Sequence, residues 1–374
     1  MATERASSPQ SPDLDLVLHA HRALDDWLEA RVQTPSSQLT GGGAIGLVEA
    51  RLSAQHEGRP VLLVPSASYG LMVVLASLGL RHGDEVLIPQ YDWPASLAAV
   101  RTLGAVPVVV PVAPGTLTID PVAAASRRTA RTRAVVATHL FGIAADVAAL
   151  RSTLPQLPVV EDCAQALGST LDGRPVGALG DAAVLSFGPG KRLDAGELGA
   201  IVLRDHALKE AALRRSAHPL RQLHDGIAMP ELGELSIRPH PIAAILLNAA
   251  LNADEPGAII AAHRALSAQL AAAGIQALGA DERRGVAFPS AVLSASEPGA
   301  ASVRMSLAGV SVTRERVLDI QAVANGRADA RTVLFVAPNH TEPCSGTRSR
   351  QAGQAARLPA APAQRQRGAH PDKS

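Results

Sequence analysis

Aromatic side chains are scarce in this chain: four phenylalanines, two tyrosines and two tryptophans in 374 residues. Its cores must therefore be built from Ala, Val, Leu and Ile, and each remaining ring, Trp93 above all, asks for a reason. Cysteine is scarcer still. Cys163 and Cys344 are too few for a disulfide framework and suit a reducing compartment. Charge of either sign is balanced, 35 basic against 34 acidic residues, so a net +1 offers no pull towards nucleic acid or anionic lipid. No uncharged apolar run reaches the length of a membrane span. The first residues, MATERASSPQSPD, lack the basic and apolar regions of a secretory signal. These absences lead us to expect a cytoplasmic protein, and no cluster of His, Cys, Asp and Glu has metal-ligand spacing.

What the chain does have is a regular alternation. Apolar residues near helical spacing predict helices over Asp13 to Val32 and Ile45 to Gln55. Then "PVLLVPS" reads as a strand, Tyr69 to Leu80 as a helix, "EVLIPQ" as a strand and Ala95 to Leu103 as a helix. "VPVVVPV", a helix from near Asp120, "RAVVATHL", a helix over Ala144 to Ser152, "LPVVED" and a helical "CAQALG" continue it, and "AAVLSFG" and "GAIVLR" complete seven strands. Unbroken Val, Ile and Leu runs mean strands covered on both faces, and strand–helix alternation means a mostly parallel α/β sheet. Helices are expected again over Ile242 to Ala253 and His263 to Gly274, with a weaker α/β portion to about Ala337. The expected organisation is an N-terminal helical segment (1–56), a large α/β domain (57–250), a smaller C-terminal α/β domain (251–344) and a disordered tail (345–374) rich in Arg, Gln, Pro and Ala.

Gly41, Gly43 and Gly46 satisfy the G-x-G-x-x-G dinucleotide fingerprint. That fingerprint works only after a buried strand, which aims the helix N-terminus at a pyrophosphate. "RVQTPSSQLT" precedes these glycines and is loop chemistry, so a nucleotide site is rejected here.

Chemistry-bearing residues collect instead where predicted strands end, the edge at which open α/β sheets bind ligands. Asp162 closes "LPVVED", with Gln165 three residues on; Ser186 and then Lys191 follow "AAVLSFG"; "ASYG" opens a helix after "PVLLVPS", an anion site of backbone N–H groups; "YDWP" carries Trp93. A lysine in a glycine-rich loop, a carboxylate, a phosphate-binding helix start and a flat ring are the parts of a pyridoxal phosphate pocket. The carboxylate would hold the pyridine nitrogen protonated so that the ring acts as an electron sink. Each part alone has a plain structural reading: Asp162 a helix cap, Trp93 a packing residue, Ser186 a turn.

From about Glu49 to Leu247 the chain resembles the DegT/DnrJ/EryC1/StrS family of sugar aminotransferases, on the stretches "SASYGL", "GDEVLIPQYDW", "LGAVPVVVPV", "TLTIDP", "RTRAVVATHLFG", "PVVEDCAQALGS", "GRPVGALGDAAVLSFGPGKRL" and "GELGAIVLR". The resemblance implies fold type I of the pyridoxal-phosphate-dependent transferases, with a large, mostly parallel seven-stranded sheet and a smaller C-terminal domain. It makes Lys191 the Schiff-base lysine and proton shuttle, pairs Asp162 with the pyridinium nitrogen and Gln165 with the phenolic oxygen, and stacks Trp93 on the ring. Ser186 and the backbone at Ala67 and Ser68 would bind phosphate. A homodimer with shared active sites is implied too, since the family closes its pocket with an Asn and a nearby Arg of the neighbouring subunit. Here that segment reads "LSIRPHPIAA", offering Ser236 and Arg238. His240 would line the substrate pocket or serve structurally between two prolines, and His139 would sit near the site or in the core. Cys163 reads as a small buried residue.

The activity implied is transfer of an amino group from L-glutamine or L-glutamate to a keto-sugar, nucleotide-linked, or to a keto-cyclitol, as in antibiotic or surface-sugar biosynthesis. Lysine, not histidine, at position 191 favours transamination over dehydration. Two alternatives stand beside it: a lyase, dehydratase or cyclase on the same scaffold, and a catalytically impaired partner subunit. Ser236 and a C-terminal part that departs from the family pattern after about Leu307 motivate the last.

Overall fold

In a computed structural model the described residues are 37–294, 310–327 and 329–338, with a few helical positions between 21 and 28. The expected tail and most of the expected helix Asp13 to Val32 lie outside them.

Seven strands form the central sheet: β1 (Val61–Val64), β2 (Glu85–Pro89), β3 (Val106–Val110), β4 (Thr132–Thr138), β5 (Val159–Asp162), β6 (Ala182–Ser186) and β7 (Gly199–Leu203). Their spatial order is β1-β7-β6-β5-β4-β2-β3. The β2–β3, β2–β4, β4–β5 and β5–β6 pairs are parallel, and β7 runs antiparallel to both β1 and β6. β1, β2, β5 and β7 are buried along their whole length, as unbroken aliphatic runs require. β3 is the edge and carries Pro107 and a 43 % exposed Val106, the place where a sheet tolerates a missing N–H.

Helices cover both faces. On one, α2 (Ala67–Ser77) and α3 (Ala95–Thr102) bury Leu71, Val74 and Val100 against Val136, Val160 and Val184. On the other, α1 (Ala44–Gln55) packs beside α8 (Pro241–Asn252), while α4 (Pro121–Arg127) and α5 (Val147–Thr153) cover Val135 and Val159. Val159 and Val160 thus belong to opposite faces, the alternation of a strand. Between these helices, α6 (His206–Ser216) and α7 (Pro219–His224) follow β7. Arg221 of α7 pairs with the buried Glu49 of α1 at 2.7 Å, and Glu49 also accepts the Leu63 N–H at 2.9 Å.

A three-stranded antiparallel sheet lies towards the C-terminus, β8 (Ala291–Ser294), β9 (Val310–Leu318) and β10 (Ala330–Pro338), in the order β8-β10-β9. The helix before it, α9 (Pro256–Ala272), presents Leu266 and Leu270 to Leu293, Leu334 and Val336. It begins at Pro256 rather than near His263, because proline fits the first helical position. A short α10 (Ile320–Ala324) joins β9 to β10 and sends Ile320 into the main core. Three of the four phenylalanines, Phe141, Phe288 and Phe335, meet in one cluster with centroids 4.8 to 5.6 Å apart, joining the small sheet to the large one.

One expected element is absent. "CAQALG" is a run of turns, not a helix: the Asp162 carboxylate takes the Ala164 N–H at 2.9 Å, and the chain closes in short turns, Ala166 N–H to Cys163 and Ser169 N–H to Ala166. A helical turn, Ser37–Thr40, precedes the Gly41 to Gly46 stretch, so no strand supports a dinucleotide site there.

Candidate active site

The ends of β1, β2, β4, β5 and β6 bring most of the predicted site residues to one edge of the sheet. Asp162 is the last residue of β5 and is 5 % exposed. It shares its face with Val160, towards α2. Among the described residues its one hydrogen-bond donor is the Ala164 N–H. Burial pushes this carboxyl above its ordinary value, against the Ala164 bond and the charge of Lys191.

Lys191 lies close enough to Asp162 for the two charges to act on one another. Burial lowers its pKa, opposed by Asp162 and Glu197. The loop that carries it is built from backbone turns and one bridging side chain. Lys191 N–H reaches Gly188 at 3.1 Å, Asp194 accepts from the N–H groups of Gly190 and Gly196, and Gly190 adopts φ 77°. Glycine serves there because that region is costly for other residues.

Ser66 caps α2, its Oγ accepting the Tyr69 N–H at 3.3 Å. Ala67 and Ser68 then occupy the first turn, where N–H groups have no intrahelical acceptor. Gly199 makes the approach possible: a Cβ on it would fall 2.4 Å from the Ser66 carbonyl carbon and 2.6 Å from the Ala67 nitrogen. Ser186, paired with Gly199 across β6 and β7, stands at the same edge. Gln165 is held by the Phe141 N–H, which donates to its Oε1 at 3.1 Å, so its amide N–H groups remain for a ligand. Phe141 holds φ 54°, an uncommon conformation for a non-glycine residue and one associated with functional sites.

Trp93 is 62 % exposed, so it is not a packing residue within this chain. His139 is a core histidine and is corrected as a substrate contact. It is fully buried, Nδ1 accepts the Ala145 N–H at 2.9 Å, and Nε2 therefore carries the hydrogen that faces Glu161 at 2.9 Å. No ring nitrogen is left for a substrate. Glu161 itself, which the sequence reading passed over, accepts from the N–H groups of Gly177, Leu179 and Gly180 as well. Burial alone would raise its pKa, but these bonds and His139 hold it below the ordinary value. His139, Glu161 and Cys163 bring potential ligand atoms within 4.8 Å of one another, yet the nitrogens and oxygens are committed to protein partners. Burial raises the Cys163 thiol well above its usual pKa.

The segment holding Ser236, Arg238 and His240 is a group apart. His240 caps α8 through Nδ1 and the Ile242 N–H at 3.2 Å, and is exposed. Ile237 N–H reaches the Tyr69 hydroxyl of α2 at 3.3 Å. Of the predicted residues, Arg238 alone lines a cleft between α1, β1 and the α6–α7 corner, with Ile45, Val64, Ser216 and Arg221.

This fold and strand-edge site define the class: fold type I of the pyridoxal-phosphate-dependent enzymes, and solved structures agree. The structure of 3-amino-5-hydroxybenzoic acid synthase superposes with a TM-score of 0.69 at 26% identity, covering 90% of this chain and 93% of that one. Residues 25–251 match the DegT/DnrJ/EryC1/StrS aminotransferase family, and the chain belongs to that family. It is 36% identical over 220 residues to L-glutamine:scyllo-inosose aminotransferase of Streptomyces griseus, covering 58% of this chain and 52% of that protein. With dTDP-3-amino-3,4,6-trideoxy-alpha-D-glucose transaminase of Streptomyces venezuelae it shares 38% over 213 residues, 56% of each chain. The chain spans about half the length of the curated relatives it matches.

Proposed function

We propose that this protein is a pyridoxal-phosphate-dependent aminotransferase that moves an amino group from L-glutamine or L-glutamate to a keto-cyclitol or a nucleotide-linked keto-sugar. The observation that carries it is a buried Asp162 at the strand edge within electrostatic reach of Lys191, in a chain of this family. The residues fit the cofactor. A buried carboxylate with a single N–H donor, the first-turn N–H groups of α2 and an anchored Gln165 amide are the partners that a pyridine nitrogen, a phosphate and a phenolic oxygen need.

When bound, the cofactor supplies the electron sink and carries the amino group between donor and acceptor. The protein's share is positional and protonic. Asp162 would keep the ring nitrogen protonated, Ala67, Ser68 and Ser186 would hold the phosphate, and exposed Trp93 could cover the ring. Lys191, desolvated and so more readily present as the free amine, would serve as the group that accepts and returns a proton beside the donor carbon. The names of the two relatives above support a cyclitol or sugar acceptor and a glutamine donor. This reading uses the division into residues 1–56, 57–250, 251–344 and the tail.

The test is the visible absorbance of the purified protein with pyridoxal phosphate. A yellow, lysine-linked form is expected, shifting to the pyridoxamine form on addition of L-glutamine or L-glutamate. A yellow protein indifferent to both donors would point to a lyase instead.

The cytoplasm is the proposed location; among the described residues no helix is long and apolar enough to cross a membrane. A homodimer is also proposed. Leu223, Met229, Leu232 and Ile237 are 51 to 78 % exposed along the segment that carries Ser236 and Arg238. Sedimentation velocity should give a dimer, and a monomer with full turnover would sink this claim.

A further inference from the structure

Asp92, in the turn between β2 and α3, is a second buried carboxylate at the same edge. It is 3 % exposed. Its Oδ1 accepts the Trp93 N–H at 2.8 Å, and its Oδ2 accepts from Ser96 Oγ at 2.8 Å and Thr138 Oγ1 at 3.0 Å. Thr138 ends β4 and is in register with Asp162 at the end of β5, so one residue joins the two acids. Two carboxylates at one dry strand edge, each within electrostatic reach of the other, cannot both ionise at ordinary cost. A proton held by one of them relieves that cost.

The surroundings decide who holds it. Around Asp92, α3 contributes the neutral Ser96, β4 the neutral Thr138, and β5 the like charge of Asp162; among the described residues no cation forms an ion pair with it. Asp319, the acid at the start of α10, is turned to Gln90 and the Ala322 N–H. Asp162, by contrast, faces Lys191 and accepts a backbone N–H. The two hydroxyls beside Asp92 can reverse their roles and accept a hydrogen bond from its protonated form, since a hydroxyl both donates and accepts.

We propose that Asp92 holds the proton of this buried acid pair and so keeps Asp162 ionised to meet the pyridine nitrogen. Asp92 is then a positioning residue that acts through Asp162. Burial, followed by the charge of Asp162, pushes the Asp92 carboxyl up to about 8, in keeping with the geometry. The idea rests on the cofactor reading above for its purpose, while the acid pair is a property of the protein alone.

Infrared difference spectra of the cofactor-free protein test it, wild type against Asp92→Asn at pH 7, in H2O and D2O. The expected result is the carbonyl stretch of a protonated carboxylic acid, shifted by deuterium, absent from Asp92→Asn and titrating away at alkaline pH. In Asp162→Asn the same band should persist but titrate at lower pH, its like-charged neighbour gone. No band at pH 7, or a band kept by Asp92→Asn and lost in Asp162→Asn, overturns the proposal. Should Asp92→Asn fail to fold, Thr138→Val removes one hydroxyl partner: the band moves if the acid is Asp92 and stays if it is Asp162. Uptake of pyridoxal phosphate is followed by absorbance on the same samples. Uptake without the band overturns the acid pair alone, whereas the band without uptake overturns the cofactor reading and the purpose given to the pair.

Discussion

Replacing Lys191 with alanine should abolish the yellow lysine-linked form and lower turnover by about a thousandfold, within the range that a positioned acid–base group contributes. The loss should fall on kcat. On the proposed reading Asp162, Gln165 and the start of α2 would still hold the cofactor, so pyridoxal phosphate should be retained in part. The fold should survive. Lys191 is half-buried, and among the described residues no hydrogen bond to its ammonium group anchors the structure. A pH signature separates this variant from a merely damaged protein. Because burial lowers the Lys191 pKa, the unfolded chain binds more protons than the folded one between the folded and unfolded values. Stability of the cofactor-free wild type therefore rises with pH across that window. Lys191→Ala should lack this rise. Turnover within tenfold of wild type, or a persistent yellow form, would remove Lys191 from the chemistry.

Glu161→Ala should be the most damaging single change to the fold, by about 3–5 kcal/mol, the usual cost of removing one partner from a buried charged network. Four donors would lose their acceptor at once: His139 Nε2 at 2.9 Å and the N–H groups of Gly177 at 2.9, Leu179 at 2.8 and Gly180 at 2.6 Å. Glutamine in its place is no rescue, because its amide nitrogen would face N–H groups on one side. The damage would spread to the site through His139, whose backbone N–H bonds the Asp162 carbonyl at 3.0 Å. Glu161 titrates below its ordinary 4.5 in the folded chain, so its contribution is full above that value and lost as pH falls through the folded pKa. Wild type should lose stability on acidification more steeply than Glu161→Ala. Urea unfolding at pH 7 and at acid pH measures both effects, and a loss under 1 kcal/mol at pH 7 would show that the network is dispensable.

Neighbouring residues show how far the sequence could be read. Asp162 stood out in the sequence as an acid ending an unbroken aliphatic run, and the fold places it buried at the end of β5. Glu161, one residue earlier, did not stand out. Strand alternation sends it to the opposite face, and only the folded chain shows that the Gly177–Gly180 turn arrives there with its N–H groups. Asp92 reads locally as a turn residue between Tyr91 and Trp93; its burial depends on Thr138 from β4 and Ser96 from α3. His139 was open between two readings until Ala145 and Glu161 claimed its nitrogens. The "CAQALG" stretch has helical composition, but the Asp162 side chain captures the Ala164 N–H and folds the segment into turns.

By itself the sequence determined the class of sheet, the order of strands and helices, and the family, because those follow from local periodicity and from residues near in the chain. Lys191, Asp162, Gln165 and Ser186 fall in one stretch and carry their spacing with them. Tertiary structure alone decided the antiparallel insertion of β7 between β1 and β6, the meeting of Phe141, Phe288 and Phe335, and which carboxylates lie in the dry interior. Strand direction and partner choice depend on contacts far apart in the chain. A carboxylate's charge depends on what surrounds it once water is excluded, and no local pattern records that.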